Sequence, residues 1–208
     1  MKKLESSLIN MTLVLTGVAV IVGVVLAYVN DLTSGPINAQ KGKALADGIK
    51  AVMVCEDLVV TKTDTVRQND AKGKEFTYII YQTKDSQGQD LGAAVESTTG
   101  GFGGELKVLV GFNTEGKILG YTLLEQTETP GLGAKADKWF QKGEKGDIIG
   151  KTPVEPLKVS KDGGQIDAIT ASTITSRAFL LAVNNAYNAY KICPEADGKT
   201  GASEQAAK

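Results

Sequence analysis

Residues Glu105 to Glu125, ELKVLVGFNTEGKILGYTLLE, decide how this chain is built. From Glu105 to Asn113, Leu106, Val108 and Val110 alternate with Lys107 and Leu109, the two-residue period of a strand. Asn113-Thr114-Glu115-Gly116 supplies the turn, because asparagine bonds its own backbone and glycine takes a positive φ without steric cost. Lys117 to Glu125 then returns with Ile118, Tyr121 and Leu123 among its apolar positions. Strand, turn and strand make a hairpin, so the sheet is antiparallel.

Upstream of the hairpin, Phe76 to Thr83 is aromatic and β-branched and predicts another strand, as does Leu91 to Glu96. Leu58-Val59-Val60 predicts a short one within the polar stretch Glu56 to Gly73. Downstream, a short helix is expected over Ala134 to Gln141. Phe179, Ala182, Val183, Ala186 and Tyr190 recur at helical spacing and form an apolar stripe that packs on the sheet. The expected class is α+β, with one domain over 57–193 and a small, polar, disordered tail over 194–208.

Toward the N-terminus, Met11 to Val29 reads MTLVLTGVAVIVGVVLAYV, with no charge and two threonines as its polar side chains. That length spans a bilayer core as a helix. Lys2 and Lys3 precede it and Asp31 follows, which keeps residues 1–10 cytoplasmic and the domain on the outer face. A cleaved signal peptide fits less well, since the apolar run is long and Ala27-Tyr28-Val29 is a poor cleavage site. Ser34-Gly35-Pro36 predicts a break. Beyond it Ile37, Leu45, Ile49 and Val52 space a stalk helix, within a connecting segment 30–56.

Composition excludes several chemistries. The chain has 208 residues, a formal net charge of -1 and no histidine. A near-neutral balance argues against nucleic-acid binding. Lack of histidine removes the commonest metal ligand and general base. Cys55 and Cys193 form no metal-binding spacing. Outside the cytoplasm they can pair as a disulfide, and two free thiols fit equally well.

Three stretches remain. Gly100-Gly101-Phe102-Gly103-Gly104 permits close approach of backbone to a ligand, or is simply a loop into a sheet edge. Glu128-Thr129-Pro130-Gly131-Leu132-Gly133-Ala134-Lys135 contains a formal GxGxxA. The dinucleotide fingerprint needs a βαβ unit, and the strand before this match is the return arm of a hairpin. A ligand-approaching turn and a plain Pro-Gly turn both remain. Thr170-Ala171-Ser172-Thr173-Ile174-Thr175-Ser176 holds five hydroxyls ahead of the long helix. Thr170, Ser172 or Thr173 can cap it, and its first-turn N–H groups attract phosphate. With no histidine to activate a hydroxyl, a Ser/His hydrolase is excluded.

In this order, behind one anchor, these stretches resemble the G-type subunit of the Rnf ion-translocating electron transport complexes. Similar features occur in the C-type subunit of the sodium-pumping NADH:quinone reductase. The matching pieces are Gly101-Phe102-Gly103-Gly104 with Leu109-Val110-Gly111-Phe112, then Glu128 to Lys135, then Thr170 to Thr175. The resemblance implies an FMN-binding domain whose FMN is joined by a phosphoester to the last threonine, Thr175, by a separate flavin transferase that uses FAD. Thr170, Ala171, Ser172 and Thr173 would then surround the phosphate. Gly101, Gly103, Glu128, Thr129, Gly131, Leu132 and Gly133 would border the isoalloxazine. It further implies an electron relay in the bacterial inner membrane, between ferredoxin and NAD, coupled through other subunits to Na+ or H+ movement. Thr170-Ala171-Ser172 replaces the commoner Ser-Gly-Ala, and Gln126 stands where many relatives carry histidine. The alternatives are the quinone-reductase subunit and a flavin-free anchored scaffold.

Overall fold

The computed structural model describes residues 8–69 and 75–193. Residues 1–7 of the expected cytoplasmic N-terminus and the expected disordered tail at 194–208 lie outside the described residues. The chain divides into two units, residues 1–44 and 45–208.

The first unit is helical. Helix α1 runs Leu8–Met53, and among the described residues it is the one helix long and apolar enough to cross a membrane. Leu15, Ile21 and Leu26 are exposed along it, as suits a helix whose backbone bonds are internal and whose side chains face lipid. The break expected at Ser34-Gly35-Pro36 is not there, for Pro36 lies inside α1. A proline removes one helical N–H and crowds one preceding carbonyl. The regular turns on both sides carry the helix through that local loss.

The second unit holds the sheet. Strands β1 (Leu58–Asn69), β2 (Glu75–Asp85), β3 (Asp90–Gly100), β4 (Glu105–Phe112) and β5 (Ile118–Gln126) lie side by side in chain order. Every neighbouring pair is antiparallel. The hairpin that decides the class is β4–β5, with Val110 opposite Tyr121. Strand β1 is far longer than its three apolar residues suggest. Its polar residues are held by pairing along β2, from Leu58 opposite Asp85 to Asn69 opposite Glu75, and an edge strand needs no second apolar face. A turn of 3-10 helix at Gly133–Lys135 leads into the short helix α2 (Ala136–Trp139), and α3 runs Thr173–Ile192.

Both faces of the sheet are covered. On one, Phe179, Val183, Ala186 and Tyr190 of α3 are buried with Ile80, Val95, Val108, Val110 and Phe112, the stripe expected from the sequence. Phe140 stacks on Phe179 with centroids 4.3 Å apart. Burying a side chain of this size stabilises by about 1.5–3 kcal/mol. On the other face, Ile49, Val52 and Met53 at the end of α1 pack on Tyr81, Ala94 and Leu109. Gly111 and Gly120 are cross-strand partners. A Cβ at Gly111 would collide with the Val52 carbonyl, so this pair lets the helix end rest directly on the sheet.

Both cysteines are free thiols. Cys193 is buried on the α3 side, where its Sγ accepts a hydrogen bond from Gln82 Nε2 at 3.4 Å. Cys55 follows the α1 turns packed on the opposite face, so of the two open alternatives the free thiols hold.

Candidate functional site

An all-antiparallel meander brings alternate loops to the same end of its sheet. The β3–β4 loop (101–104) and the chain leaving β5 at Thr127 therefore meet. The start of α3 joins them there, anchored by Thr99 Oγ1 donating to the Ala178 carbonyl at 3.0 Å.

Glu128 lies at the centre of this end. The residue is 7% exposed. Its Oε1 accepts the backbone N–H of Phe102 at 2.7 Å and of Gly103 at 3.3 Å. Its Oε2 accepts the hydroxyl of Thr175 at 2.8 Å. A Cβ at Gly101 would collide with Oε1, and one at Gly133 would collide with Oε2 and lie 2.7 Å from Thr175 Oγ1. Two of the glycines singled out in the sequence are thus bare because a carboxylate fills the space beside them.

The start of α3 departs from the expected cap. Ser172 is the N-cap residue, yet its side chain makes no capping bond. Its φ of -135° and ψ of 48° lie outside the extended cap conformation that aims a side-chain oxygen at the first turn. Thr170 and Thr173 do not take over that role. Thr170 is exposed, and Thr173 Oγ1 accepts from Lys161 Nζ at 3.1 Å. Ser176, buried within α3, closes the turn instead: its Oγ accepts the Ile169 N–H and donates to the Ser172 carbonyl, each at 2.9 Å. Lys161 is carried on the turn Ser160–Asp162. That turn is tied to α3 by Arg177, whose Nε and Nη2 donate to Asp162 at 2.7 and 2.6 Å. The Arg177 hydrogen bond and charge hold the Asp162 carboxyl below the usual carboxylate range.

These segments enclose a cleft of about 380 Å³, lined by Phe102, Glu128, Thr129, Leu132, Gly133 and residues 171–175. Its rim is apolar and open: Phe102 is 69% exposed, Ile174 54% and Leu132 41%. Of the residues singled out, Glu128, Thr129, Leu132, Gly133, Ala171, Ser172, Thr173 and Thr175 come together here. Gly101 and Gly103 sit behind the carboxylate, beside Glu128 and the Thr127 carbonyl. Gly131, at φ +77°, turns the chain in open space. Thr170 lies outside the lining.

Lys161, Asp162 and Arg177 carry no signal in the sequence. They lie in an ordinary polar stretch and on an exposed helix face, and their pairing is a product of folding. Phe102 and Ile174 stand inside the quoted motifs, and their exposure is what singles them out. Below the cleft, the Tyr121 hydroxyl donates to the Ala136 carbonyl at 2.7 Å and accepts the Phe140 N–H at 3.2 Å. Burial pushes this phenol well above its ordinary value. It pins the short helix that follows the Gly131-Leu132-Gly133 loop.

The two sides of the cleft suit different halves of one ligand. Thr173 beside the Lys161 ammonium, at a helix start with no side-chain cap, suits a phosphate. The Phe102, Leu132 and Ile174 rim suits a flat ring. Residues 101–188 match the FMN-binding domain family, whose ligand has these two halves. The chain is 35% identical over 170 residues to the G-type subunit of the ion-translocating oxidoreductase complex of Vibrio parahaemolyticus, covering 78% of this chain and 79% of that one. It is 34% identical over 169 residues to the corresponding protein of Shewanella oneidensis, covering 77% and 78%. The crystal structure of NqrC from Shewanella oneidensis is a slighter likeness, with a TM-score of 0.41 at 18% identity over 61% of this chain and 69% of that one. With identity of this level over more than three quarters of both sequences, the chain belongs to the family of G-type subunits of ion-translocating oxidoreductase complexes.

Proposed function

We propose that this protein is the FMN-carrying electron-transfer subunit of an ion-translocating oxidoreductase complex, held in the membrane by α1. The observation that carries this is the cleft inside the FMN-binding match, where a hydroxyl beside a cation faces an apolar rim. Bound FMN supplies the electron chemistry, and the protein supplies orientation and electrostatics. Leu132, Phe102 and Ile174 would exclude water from the ring. Lys161 and the start of α3 would hold the phosphate.

The flavin is tethered covalently, as a phosphoester on the hydroxyl cluster, through a flavin transferase. The family resemblance points to Thr175, whereas the geometry favours Thr173. Thr175 is 1% exposed and its hydroxyl is taken by the Glu128 carboxylate. A phosphoester there would set two negative charges close together, at a cost of about 4 kcal/mol for a separation near 4 Å and an effective dielectric of about 20. Thr173 is partly exposed, with an ammonium 3.1 Å from its oxygen. There the neighbouring charge attracts. The second reading, Thr175, draws support from Glu128 itself, a base in contact with the hydroxyl it would activate.

Co-expression with the transferase, followed by a denaturing gel read for flavin fluorescence, separates the two. Thr173→Ala is expected to abolish the fluorescent band while Thr175→Val keeps it. The reverse pattern would establish Thr175. A wild-type band without fluorescence, despite an active transferase, would remove the covalent link.

A tethered flavin suits a fixed relay. The relay we propose runs between ferredoxin and NAD, and drives Na+ or H+ movement through partner subunits. The domain faces the outer side of the bacterial cytoplasmic membrane, in keeping with Lys2 and Lys3 ahead of the apolar run.

A further inference from the structure

We infer that Glu128 is a positioning residue, which ties together the loops of the flavin cleft and leaves a fixed negative charge in its wall. The part that concerns the flavin rests on the function proposed above; the part that concerns the loops does not.

The carboxylate joins three segments that are far apart in the chain. It takes the N–H groups of Phe102 and Gly103, 26 and 25 residues away, and the hydroxyl of Thr175, 47 residues away. Two successive backbone N–H groups aimed at one point form a concave anion site of the sort that often receives phosphate. Here the protein's own carboxylate fills it. The phosphate of a bound flavin is therefore directed to the Lys161 side, and the Gly101–Gly104 loop is left to shape the ring side. Burying a carboxylate is costly unless its oxygens are hydrogen-bonded, and three donors meet that need. The bare Cα atoms of Gly101 and Gly133 make room for it. Thr175 then works as the third arm of a clasp.

Glu128 and the apolar rim line the same cleft. A fixed negative charge there disfavours adding an electron to a ring bound in it, so Glu128 lowers the flavin potential.

Hydrogen exchange on the flavin-free full chain tests the clasp. In Glu128→Ala the amides of Phe102 and Gly103 are expected to exchange about tenfold faster or more, while those of Val108 and Val110 in β4 stay protected. Glu128→Gln should restore most of the protection, since its amide oxygen accepts both N–H groups and its amide nitrogen donates to Thr175. If Glu128→Ala does not fold, Thr175→Val, which removes one arm, is read in the same way and should speed exchange of Phe102 and Gly103. Unchanged exchange at these two amides overturns the clasp. On the loaded protein, Glu128→Gln should keep the flavin and shift its midpoint potential upward. An unmoved potential overturns the role of the charge. Persistence of the flavin in both Thr173→Ala and Thr175→Val would sink the attachment reading, and the exchange result would stand apart from it.

Discussion

The two ends of the sheet hold their loops in different ways. At the end away from the cleft, each turn is satisfied by a residue of its own. Asp85 Oδ1 accepts the N–H groups of Gln87 and Gln89, each at 2.8 Å. Asn113 Oδ1 does the same for Glu115 and Lys117, at 3.1 and 2.8 Å. At the cleft end, the Gly101–Gly104 loop closes one bond of its own, Gly101 N–H to the Gly104 carbonyl at 2.7 Å, but the N–H groups at its tip rely on Glu128, and Glu128 relies in turn on the start of α3. Local turns need little chain to be ordered to close them. A loop tip fastened from 26 residues away is held only when the domain has folded around it. A ligand site built in the second way gains preorganisation from the tertiary core and is exposed to any change in it.

The largest break in that comparison should come from filling the space around Glu128. Gly133→Val drives a side chain into the carboxylate and Thr175, and overpacking of this sort costs about 1–3 kcal/mol. At the other end Gly88, at φ +83° with open space around it, should lose on change to alanine only the backbone strain of a left-handed residue, about 1–2 kcal/mol. Urea unfolding of the two variants compares them directly; equal losses would mean the cleft end is no more tightly built than a surface turn. Next in size is Asn113→Ala, which removes two local bonds and should cost about 1 kcal/mol with no change in FMN binding.

A pH scan sharpens the same contrast from below the cleft. Tyr121 is buried and its folded pKa is raised above the ordinary 10.0. The neutral phenol is therefore favoured in the folded state, and its contribution is fully present below pH 10 and is lost as pH rises beyond it. Thermal stability should fall above about pH 10, less steeply in Tyr121→Phe. Tyr81, pushed up to about 12 mainly by burial and also by Glu96, adds to the same limb and remains in that variant. An identical alkaline limb in Tyr121→Phe would show that the phenol is not what titrates. The smallest effect belongs to the exposed pair Lys117–Glu115, 2.8 Å apart, where Lys117→Ala should leave the melting temperature unchanged within error.

Much of the fold was legible from the residues. Alternation at Leu106, Val108 and Val110, the Asn113–Gly116 turn and the apolar stripe of α3 are local patterns, and they appear as written. The break expected at Pro36 did not appear, because one missing bond does not end a long helix whose remaining turns are intact. The length of β1 was hidden, since an edge strand is held by its neighbour's backbone and its own side chains carry little sign of it. At the site, the motifs named segments that the fold brings together, with Glu128, Leu132 and part of the hydroxyl run lining one cleft. What each residue does there was hidden. Glycines noted for approach to a ligand turned out to make room for a carboxylate, and Ser172 to be a cap residue without a capping bond.

The antiparallel sheet, the apolar span, the packed helix and the family follow from the order of residues alone, because each rests on short-range pattern or on motifs in order. That Thr175 meets Glu128 while Thr173 stands beside Lys161 comes from the folded packing of the chain. The two threonines are neighbours but one on the helix that carries them. Which is buried against a carboxylate and which is open beside a cation depends on loops from elsewhere in the chain, and no local pattern encodes that.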